Sequence, residues 1–315
     1  MKILVTGGAG FIGSHLIDAL CAKGHHVVCV DDLSLGRIEH IAHHLKSTTF
    51  EFIQLNILDE SRFDALFSEH RFDCVFHMAA NSDIQEGATQ LRVDLEKTFM
   101  TTFITLNCMQ RHGVQHIAFA SSSAVYGERS TPLREDSGPL QPISFYGAAK
   151  LAAEAYISAF CENFDMRAWI FRFPNVVGER ATHGVIFDFI QRLRENPHEL
   201  LILGDGSQEK PYLYVKDLVS AMLFVWERTS EKINCYNIGV STTTRVSKIA
   251  DIVVEEMGLQ NVQYRYTGGD RGWKGDVPWF LYDLHKITEL GWTAQMTSDD
   301  AVRHAVRALL GTYRE

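Results

Sequence analysis

KILVTGGAGFIGSH, residues 2 to 15, starts with the apolar run Ile3, Leu4, Val5 and then turns through Gly7, Gly8, Gly10 and Gly13 into a segment of helical spacing. A short apolar strand that breaks into glycines and re-emerges as a helix is the first step of a dinucleotide-binding βαβ unit. The first glycine permits the tight turn, the next lets backbone approach a pyrophosphate, and Gly13 lets the helix pack on the sheet; the positive helix N-terminus then faces the phosphates. The pattern fits both Gly7-x-x-Gly10-x-x-Gly13 and Gly8-x-Gly10-x-x-Gly13, and either spacing puts the same loop under the ligand. A plain glycine turn would look alike locally, so the next strand decides. That strand ends in Asp31 and Asp32, about twenty residues on, where a carboxylate meets a ribose hydroxyl. A carboxylate there repels a 2′-phosphate, and the nearest arginine, Arg37, lies further into the loop, which favours NAD over NADP.

Working outward, Lys2 to Thr6, His26 to Asp31, Thr49 to Leu55, Cys74 to Met78, His116 to Ala120 and Arg167 to Phe173 read as strands. Ser14 to Lys23, Ser61 to Ser68, Val93 to His112 and Tyr146 to Asn163 read as helices between them. The alternation predicts an α/β chain: a doubly wound, parallel-sheet Rossmann domain over residues 1–174, with a segment near 213–240 returning to it. Residues 175–315 form mainly a smaller α/β substrate-binding domain, with helices near Phe187 to Glu195, Asp217 to Glu227, Val246 to Met257 and Ser298 to Leu310. Asn56 and Ile57, after the third strand, fall beside an adenine, and His77 to Ala80 end the fourth strand on the cofactor path; Met78, Ala79 and Ala80 are cofactor candidates.

Composition narrows the function classes. The 315 residues carry a formal charge of −9 with no run of Lys or Arg, so no nucleic-acid footprint is expected. The six cysteines, at 21, 29, 74, 108, 161 and 235, show no CxxC pair or zinc spacing and read as reduced, mostly core thiols. No apolar stretch reaches the roughly 18 residues of a membrane span, and the N-terminus runs straight into the glycine turn without a signal-type h-region; a cytoplasmic protein is expected. His40, His43 and His44 sit together, but with no carboxylate or cysteine expected to be arranged around them they read as solvated surface and no metal is expected.

The candidate chemistry follows the fifth strand. Ser121, Ser122 and Ser123 precede Ala124, Val125 and Tyr126, and Tyr146 stands four residues before Lys150, which puts both side chains on one helical face. A phenol with a pKa of about 10 is a poor base at neutral pH, but a neighbouring ammonium and a positive nicotinamide both favour the phenolate. Tyr146 is therefore the candidate proton acceptor.

With these residues in view the chain resembles the extended short-chain dehydrogenase/reductases, and within them the NAD-dependent nucleotide-sugar epimerases similar to UDP-glucose (UDP-galactose) 4-epimerase. TGGAGFIGSH at 6–15, SSSAVYG at 121–127, YGAAK at 146–150, RFPNVVGER at 172–180 and GDRGWKGDVP at 269–278 carry the resemblance over nearly the whole length. It implies Ser122, Tyr146 and Lys150 as the catalytic set. It adds Phe11, Ile12, Leu33, Ser34, Asp94, Ser121 and Phe173 to the cofactor contacts, with Tyr146 and Lys150 shared. On the substrate side it implies Asp83, Ser122, Ser123, Tyr146, Asn175, His183, Gly184, Val185, Lys210, Tyr212, Arg271 and Asp276, with Thr182 opening the segment that closes over the nucleotide. Lys210 stands where the family usually has Arg and cannot offer a fork of paired donors, so either Lys210 or Arg271, with Lys274 nearby, holds the diphosphate. Asp94 stands where the family commonly has Asn; an ionised Asp accepts but cannot donate.

Within that resemblance the reaction can be narrowed. Related 4,6-dehydratases carry Asp then Glu after the catalytic hydroxyl, and UDP-glucuronate decarboxylases carry a Glu at the second position, because those reactions need another acid or base. Ser123 and Ala124 stand here instead. The expected reaction is C4 epimerisation of a nucleotide sugar, UDP-glucose and UDP-galactose first, through a transient 4-keto intermediate. Phe280, placed where relatives limit room beside C2, disfavours N-acetylated sugars. UDP-glucuronate stays open through Arg180 and Arg192, as does a UDP-N-acetylhexosamine; a dehydratase, a decarboxylase or a non-catalytic dinucleotide sensor ranks lower. Pairing of the helices Val93 to His112 and Tyr146 to Asn163 implies a homodimer whose partner molecule is a nucleotide-diphosphate sugar, with no nucleic acid or membrane.

Overall fold

The computed structural model describes residues 1–273 and 275–312, and Lys274 lies outside the described residues. Strands β1 (Lys2–Thr6), β2 (His26–Asp31), β3 (Phe50–Gln54), β4 (Cys74–His77), β5 (His116–Ser122) and β6 (Arg167–Phe173), with the strand Ile233–Asn237, form a seven-stranded sheet. Its order is β3, β2, β1, β4, β5, β6 and then Ile233–Asn237, with parallel pairing from β3 through β5. The central strands are buried along their length, as a parallel sheet covered on both faces requires: Ile3, Leu4, Val5, Val28, Val30, Val75 and Phe76 have no exposed surface. Cys29, Cys74, Cys108 and Cys161 are buried among them.

Helix α1 (Phe11–Ala22) follows the glycine turn, and helices Glu60–Glu69, Thr101–His112 and Phe145–Phe164 supply one shared apolar core with the sheet. Phe63, Leu106, Met109, Ile157 and Cys161 are the helix residues that fill it. Strand order reverses between β1 and β4, so the crevice at the carboxyl ends of those two strands is the topological switch point where open α/β sheets take ligands. The expected helix Val93 to His112 is in fact three pieces: Leu91–Asp94, a π-helical turn Leu95–Met100, and Thr101–His112. A π turn adds a residue to the repeat without disturbing the apolar pattern on either side, so periodicity cannot reveal it.

The chain divides into two compact units, each described by itself. The first comprises Met1–Val125, Ser144–Arg172 and Met222–Tyr236; the second comprises Tyr126–Ile143, Phe173–Ala221 and Asn237–Glu315. The chain thus crosses between units more often than one boundary near 175 with a return over 213–240 would need, because residues 126–143 group with the second unit. That unit holds a parallel pair, Asn175–Val177 with Tyr212–Tyr214, a second pair, Glu199–Ile202 with Gln263–Tyr266, and amphipathic helices Val185–Glu195, Val246–Glu256 and Ser298–Thr312. Among the described residues no helix is long and apolar enough to cross a membrane.

Candidate active site

The glycine turn shows why the sequence needs glycines. Gly7 has a positive φ of 65°, and a Cβ there would stand 2.7 Å from the Ala79 nitrogen; a Cβ on Gly13 would stand 2.2 Å from the Gly7 carbonyl. Met78 and Ala79 therefore press on the turn from the end of β4, with Ala79 N–H reaching Thr6 Oγ1 at 3.4 Å and Met78 N–H donating to Thr6 O at 3.1 Å. A Cβ on Gly10 would meet little beyond the Gly7 carbonyl, so that side of the turn is open. Gly10 also begins helix α1 without a side-chain cap, leaving the helix N-terminus as main-chain donors with a positive dipole. An open cradle over an uncapped helix start fits a pyrophosphate.

Asp31 ends β2 almost buried, at 8% exposure. Its carboxylate accepts from Ala9 N–H at 3.0 Å and Leu33 N–H at 2.8 Å, which ties the glycine turn to the β2 loop and holds Leu33 at a positive φ of 61°. Burial raises its pKa while those bonds lower it. Two carboxylate oxygens offer about four lone-pair sites, so acceptor capacity remains for ribose hydroxyls. Asp32 accepts from Ser34 N–H at 2.9 Å. Asn56, exposed, spends its side chain on Leu58 N–H at 2.9 Å, and Ile57 is buried. Between the switch-point strands, His77 is fully buried, 2.7 Å from Thr6 Oγ1 and 3.1 Å from Thr102 Oγ1, and burial first, with the Lys150 charge second, pushes its pKa down to about 3. His77 is a neutral strut.

The catalytic candidates converge at the end of β5. That strand runs through Ser122, two residues beyond the expected Ala120, and a 3₁₀ turn Ser123–Tyr126 follows. Helix Phe145–Phe164 starts at Ser144, whose hydroxyl accepts from Gly147 N–H at 3.1 Å. This puts Tyr146 and Lys150 one turn apart, with the Ser122 hydroxyl favouring the ionised phenol. Lys150 is 1% exposed, donates to the Ala120 carbonyl at 2.6 Å, and lies 5.7 Å from the Tyr146 ring centroid. Burial pulls its pKa down to about 7, opposed by the charges of Glu154 and Asp94. For the phenol, burial raises its pKa, the Ser122 hydroxyl works the other way, and the charge of Asp94 adds to the rise. The protein's own residues thus leave Tyr146 protonated.

Asp94 is 1% exposed and precedes the π turn. Its Oδ1 accepts from Asn81 Nδ2 at 3.1 Å, and Asn81 N–H in turn donates to Thr98 Oγ1, inside the π turn, at 3.1 Å. Asp94 Oδ2 is buried without a hydrogen-bond partner, and burial raises the pKa of the group. Asp83, exposed, accepts from Glu86 N–H at 3.1 Å. Sequence reasoning passed over Glu154, which is paired with Arg172 and Ser121. The signal was available, since Glu154 extends the spacing of four from Tyr146 through Lys150.

In the second unit Lys210 and Arg271 meet at one loop. Lys210 Nζ pairs with Asp276 Oδ1, Arg271 donates to the Asp276 carbonyl at 3.1 Å and to Glu128 at 2.7 Å, and Gly272 N–H reaches Asp276 Oδ2 at 3.3 Å. Tyr212 and Asn175 face each other in register across the parallel pair. Burial, then the Asp276 charge, raises the Tyr212 pKa. His183 contacts Thr182 at 3.2 Å, and Gly184, at φ 102°, leads into helix Val185–Glu195. Phe173 ends β6, buried. The histidine cluster needs one correction: Asp18, distant in sequence, stands 2.8 Å from both His43 Nε2 and His44 Nε2. Hydrogen bonds alone account for that geometry.

The chain matches the model of the NAD dependent epimerase/dehydratase family over residues 3–239. It is 33% identical over 228 residues to the UDP-glucose 4-epimerase of Mycolicibacterium smegmatis, covering 71% of this chain and 72% of that one. A crystal structure of UDP-galactose 4-epimerase superposes with a TM-score of 0.89 at 38% identity, over 99% of this chain and 100% of the other. The UDP-glucuronic acid 4-epimerase of Bacillus cereus, solved with UDP-glucuronic acid and NAD, superposes with a TM-score of 0.88 at 26% identity over 99% and 100%. The glycine cradle, the buried Asp31 and these similarities agree: the chain belongs to the NAD dependent epimerase/dehydratase family, as an NAD-dependent enzyme of the extended short-chain dehydrogenase/reductase, nucleotide-sugar epimerase type.

Proposed function

We propose that the enzyme inverts C4 of a nucleotide-linked hexose and interconverts UDP-glucose and UDP-galactose. The observation that carries this reading is the convergence of Ser122, Tyr146 and the buried Lys150 at the end of β5, followed by Ser123 and Ala124 where elimination or decarboxylation would need acidic groups. NAD, when bound, supplies a reversible hydride acceptor and a positive nicotinamide that, together with Lys150, favours the Tyr146 phenolate. The phenolate Oη takes the proton of the C4 hydroxyl while Ser122 Oγ orients that hydroxyl. Lys150 provides the positive charge that a phenolate needs in a buried setting. The sugar passes through a 4-keto state, and the same phenol returns the proton to either epimer. Lys210 and Arg271 are assigned to the diphosphate, with Asn175 and Tyr212 beside it, and remote binding energy holds the intermediate in place.

Phe280 is 4% exposed and packs edge-on against Tyr282, with ring centroids 5.7 Å apart. A ring so fixed supports a preference for sugars without a 2-N-acetyl group. UDP-glucuronate is the second reading, on the similarity to the Bacillus cereus enzyme; against it, Arg192 already donates to the Leu201 carbonyl at 2.5 Å. The test is an NMR assay of C4 inversion on UDP-glucose, UDP-galactose, UDP-N-acetylglucosamine and UDP-glucuronate. Fastest inversion of the first two supports the proposal, and a dehydrated or decarboxylated product overturns it. A homodimer is the proposed assembly, supported by exposed Leu91, Leu95, Tyr156 and Phe164 on the two helical segments expected to pair; a monomer in light scattering refutes it. The proposed location is the cytoplasm.

A further inference from the structure

Helix Phe145–Phe164 presents Tyr146, Lys150 and Glu154 at spacings of four, hence along one face. Strand β5 presents three consecutive residues, Ala120, Ser121 and Ser122, and the first two are hydrogen-bonded to helix residues. The Ala120 carbonyl accepts from Lys150 Nζ at 2.6 Å and the Ser121 hydroxyl donates to Glu154 Oε1, while Ser122 is the hydroxyl that favours the ionised Tyr146. Glu154 and Arg172 are each 6% exposed. From β6, Arg172 Nε donates to Glu154 Oε1 at 3.0 Å and its second fork nitrogen to Oε2 at 2.6 Å. Bidentate pairing of this kind is strong and fixes the orientation of both partners.

We propose that Glu154, held by Arg172, is a positioning residue for the reaction: it locks the Lys150 turn of the helix to the strand end carrying Ser122 and keeps a negative charge facing the lysine. This rests on the assignment of Ser122, Tyr146 and Lys150 made above. Both effects follow from its place between strand and helix. Removing its bond to Ser121 loosens the strand end that carries Ser122, and misplacement by about 1 Å can cost on the order of 10²-fold in rate. The charged and titratable groups facing Lys150 are Tyr146 and Glu154 from its own helix, Asp94 from the segment before the π turn, and neutral His77 from β4. Arg172 acts on it through Glu154. Glu154 and Asp94 therefore oppose the loss of charge on Lys150 that its burial favours.

The experiment compares Glu154→Gln and Glu154→Asp with wild type in C4-inversion kinetics across pH, with NAD binding and Tm measured alongside. For folded, NAD-binding Glu154→Gln, kcat should fall about 10²-fold with KM for the nucleotide sugar nearly unchanged. Its alkaline limb should move to lower pH by about one unit, because loss of a negative neighbour disfavours the ammonium. Glu154→Asp should return the limb without restoring the full rate; a limb that stays displaced overturns the proposal. Should Glu154→Gln fail to fold, the charge-balanced Glu154→Gln/Arg172→Gln protein replaces it and should show the same loss in kcat. Wild-type kcat and pH profile in either folded variant overturns the inference. A fully active Tyr146→Phe would instead sink the underlying assignment, so the two failures are distinguishable.

Discussion

The two groups assigned to phosphate make contrasting use of the chain. Around Gly10 the first unit offers main-chain N–H groups at an uncapped helix start, with a side of the turn left open. At Asp276 the second unit offers two cations already engaged by carboxylates: Lys210 by Asp276 and Arg271 by Glu128. The first arrangement is preorganised by the main chain, with Ala9 N–H spent on Asp31 and Gly10 N–H on the Gly7 carbonyl. In the second, an arriving diphosphate must take over bonds held by resident acids, so its net gain is smaller and more sensitive to substitution. Firm backbone geometry in the first unit should place the chemistry and the cofactor there. Exchangeable ion pairs should tune substrate affinity.

The comparison can be broken in four ways, beginning with the largest effect. Tyr146→Phe should lower kcat by about 10²–10⁴-fold, the range for a general acid–base group, while NAD stays bound; a change confined to KM would put the chemistry elsewhere. Gly10→Val fills the open side of the cradle, and NAD affinity measured by calorimetry should weaken about 100-fold, or about 2.7 kcal/mol, with Tm little altered. Retained affinity would show that the turn is not the phosphate site. Lys210→Met should raise KM for the nucleotide sugar about tenfold and spare kcat, and an equal drop in kcat would mean that the ion pair is not a mere binding device.

The smallest effect concerns acid stability of the first unit. His77 has a pKa lowered from 6.5 to about 3 and is neutral in the fold. Between those values the unfolded chain binds a proton that the folded chain refuses. Stability is therefore fully present above about 6.5 and falls as pH drops toward 3, by about 1.4 kcal/mol per unit at most. His77→Gln should flatten that slope in urea titrations at pH 4 to 6, and an unchanged slope would mean that other groups set it.

Much of the first unit was legible from local spacing. β1, β2 and β6 were predicted at their observed ends, and Gly7, Gly10, Gly13, Asp31, Tyr146 and Lys150 could be singled out because their roles depend on neighbours within one turn or strand. The π turn after Asp94 was not legible, because its extra residue leaves no mark in the apolar period. Neither was Asp18 beside His43 and His44, which is brought there by packing of α1 rather than by sequence distance.

The sequence by itself determined where strands, turns and helices start and which residue types face one another across a single element, since periods of two and 3.6 and the steric needs of glycine are local. Only the tertiary structure decided which charges are spent. Glu154 on Arg172, Lys210 on Asp276 and the unpartnered Asp94 Oδ2 follow from burial and from partners tens of residues away. Burial in the folded chain pulls Lys150 down while pushing Tyr146 up, because desolvation is a property of the packed surroundings and not of the residue.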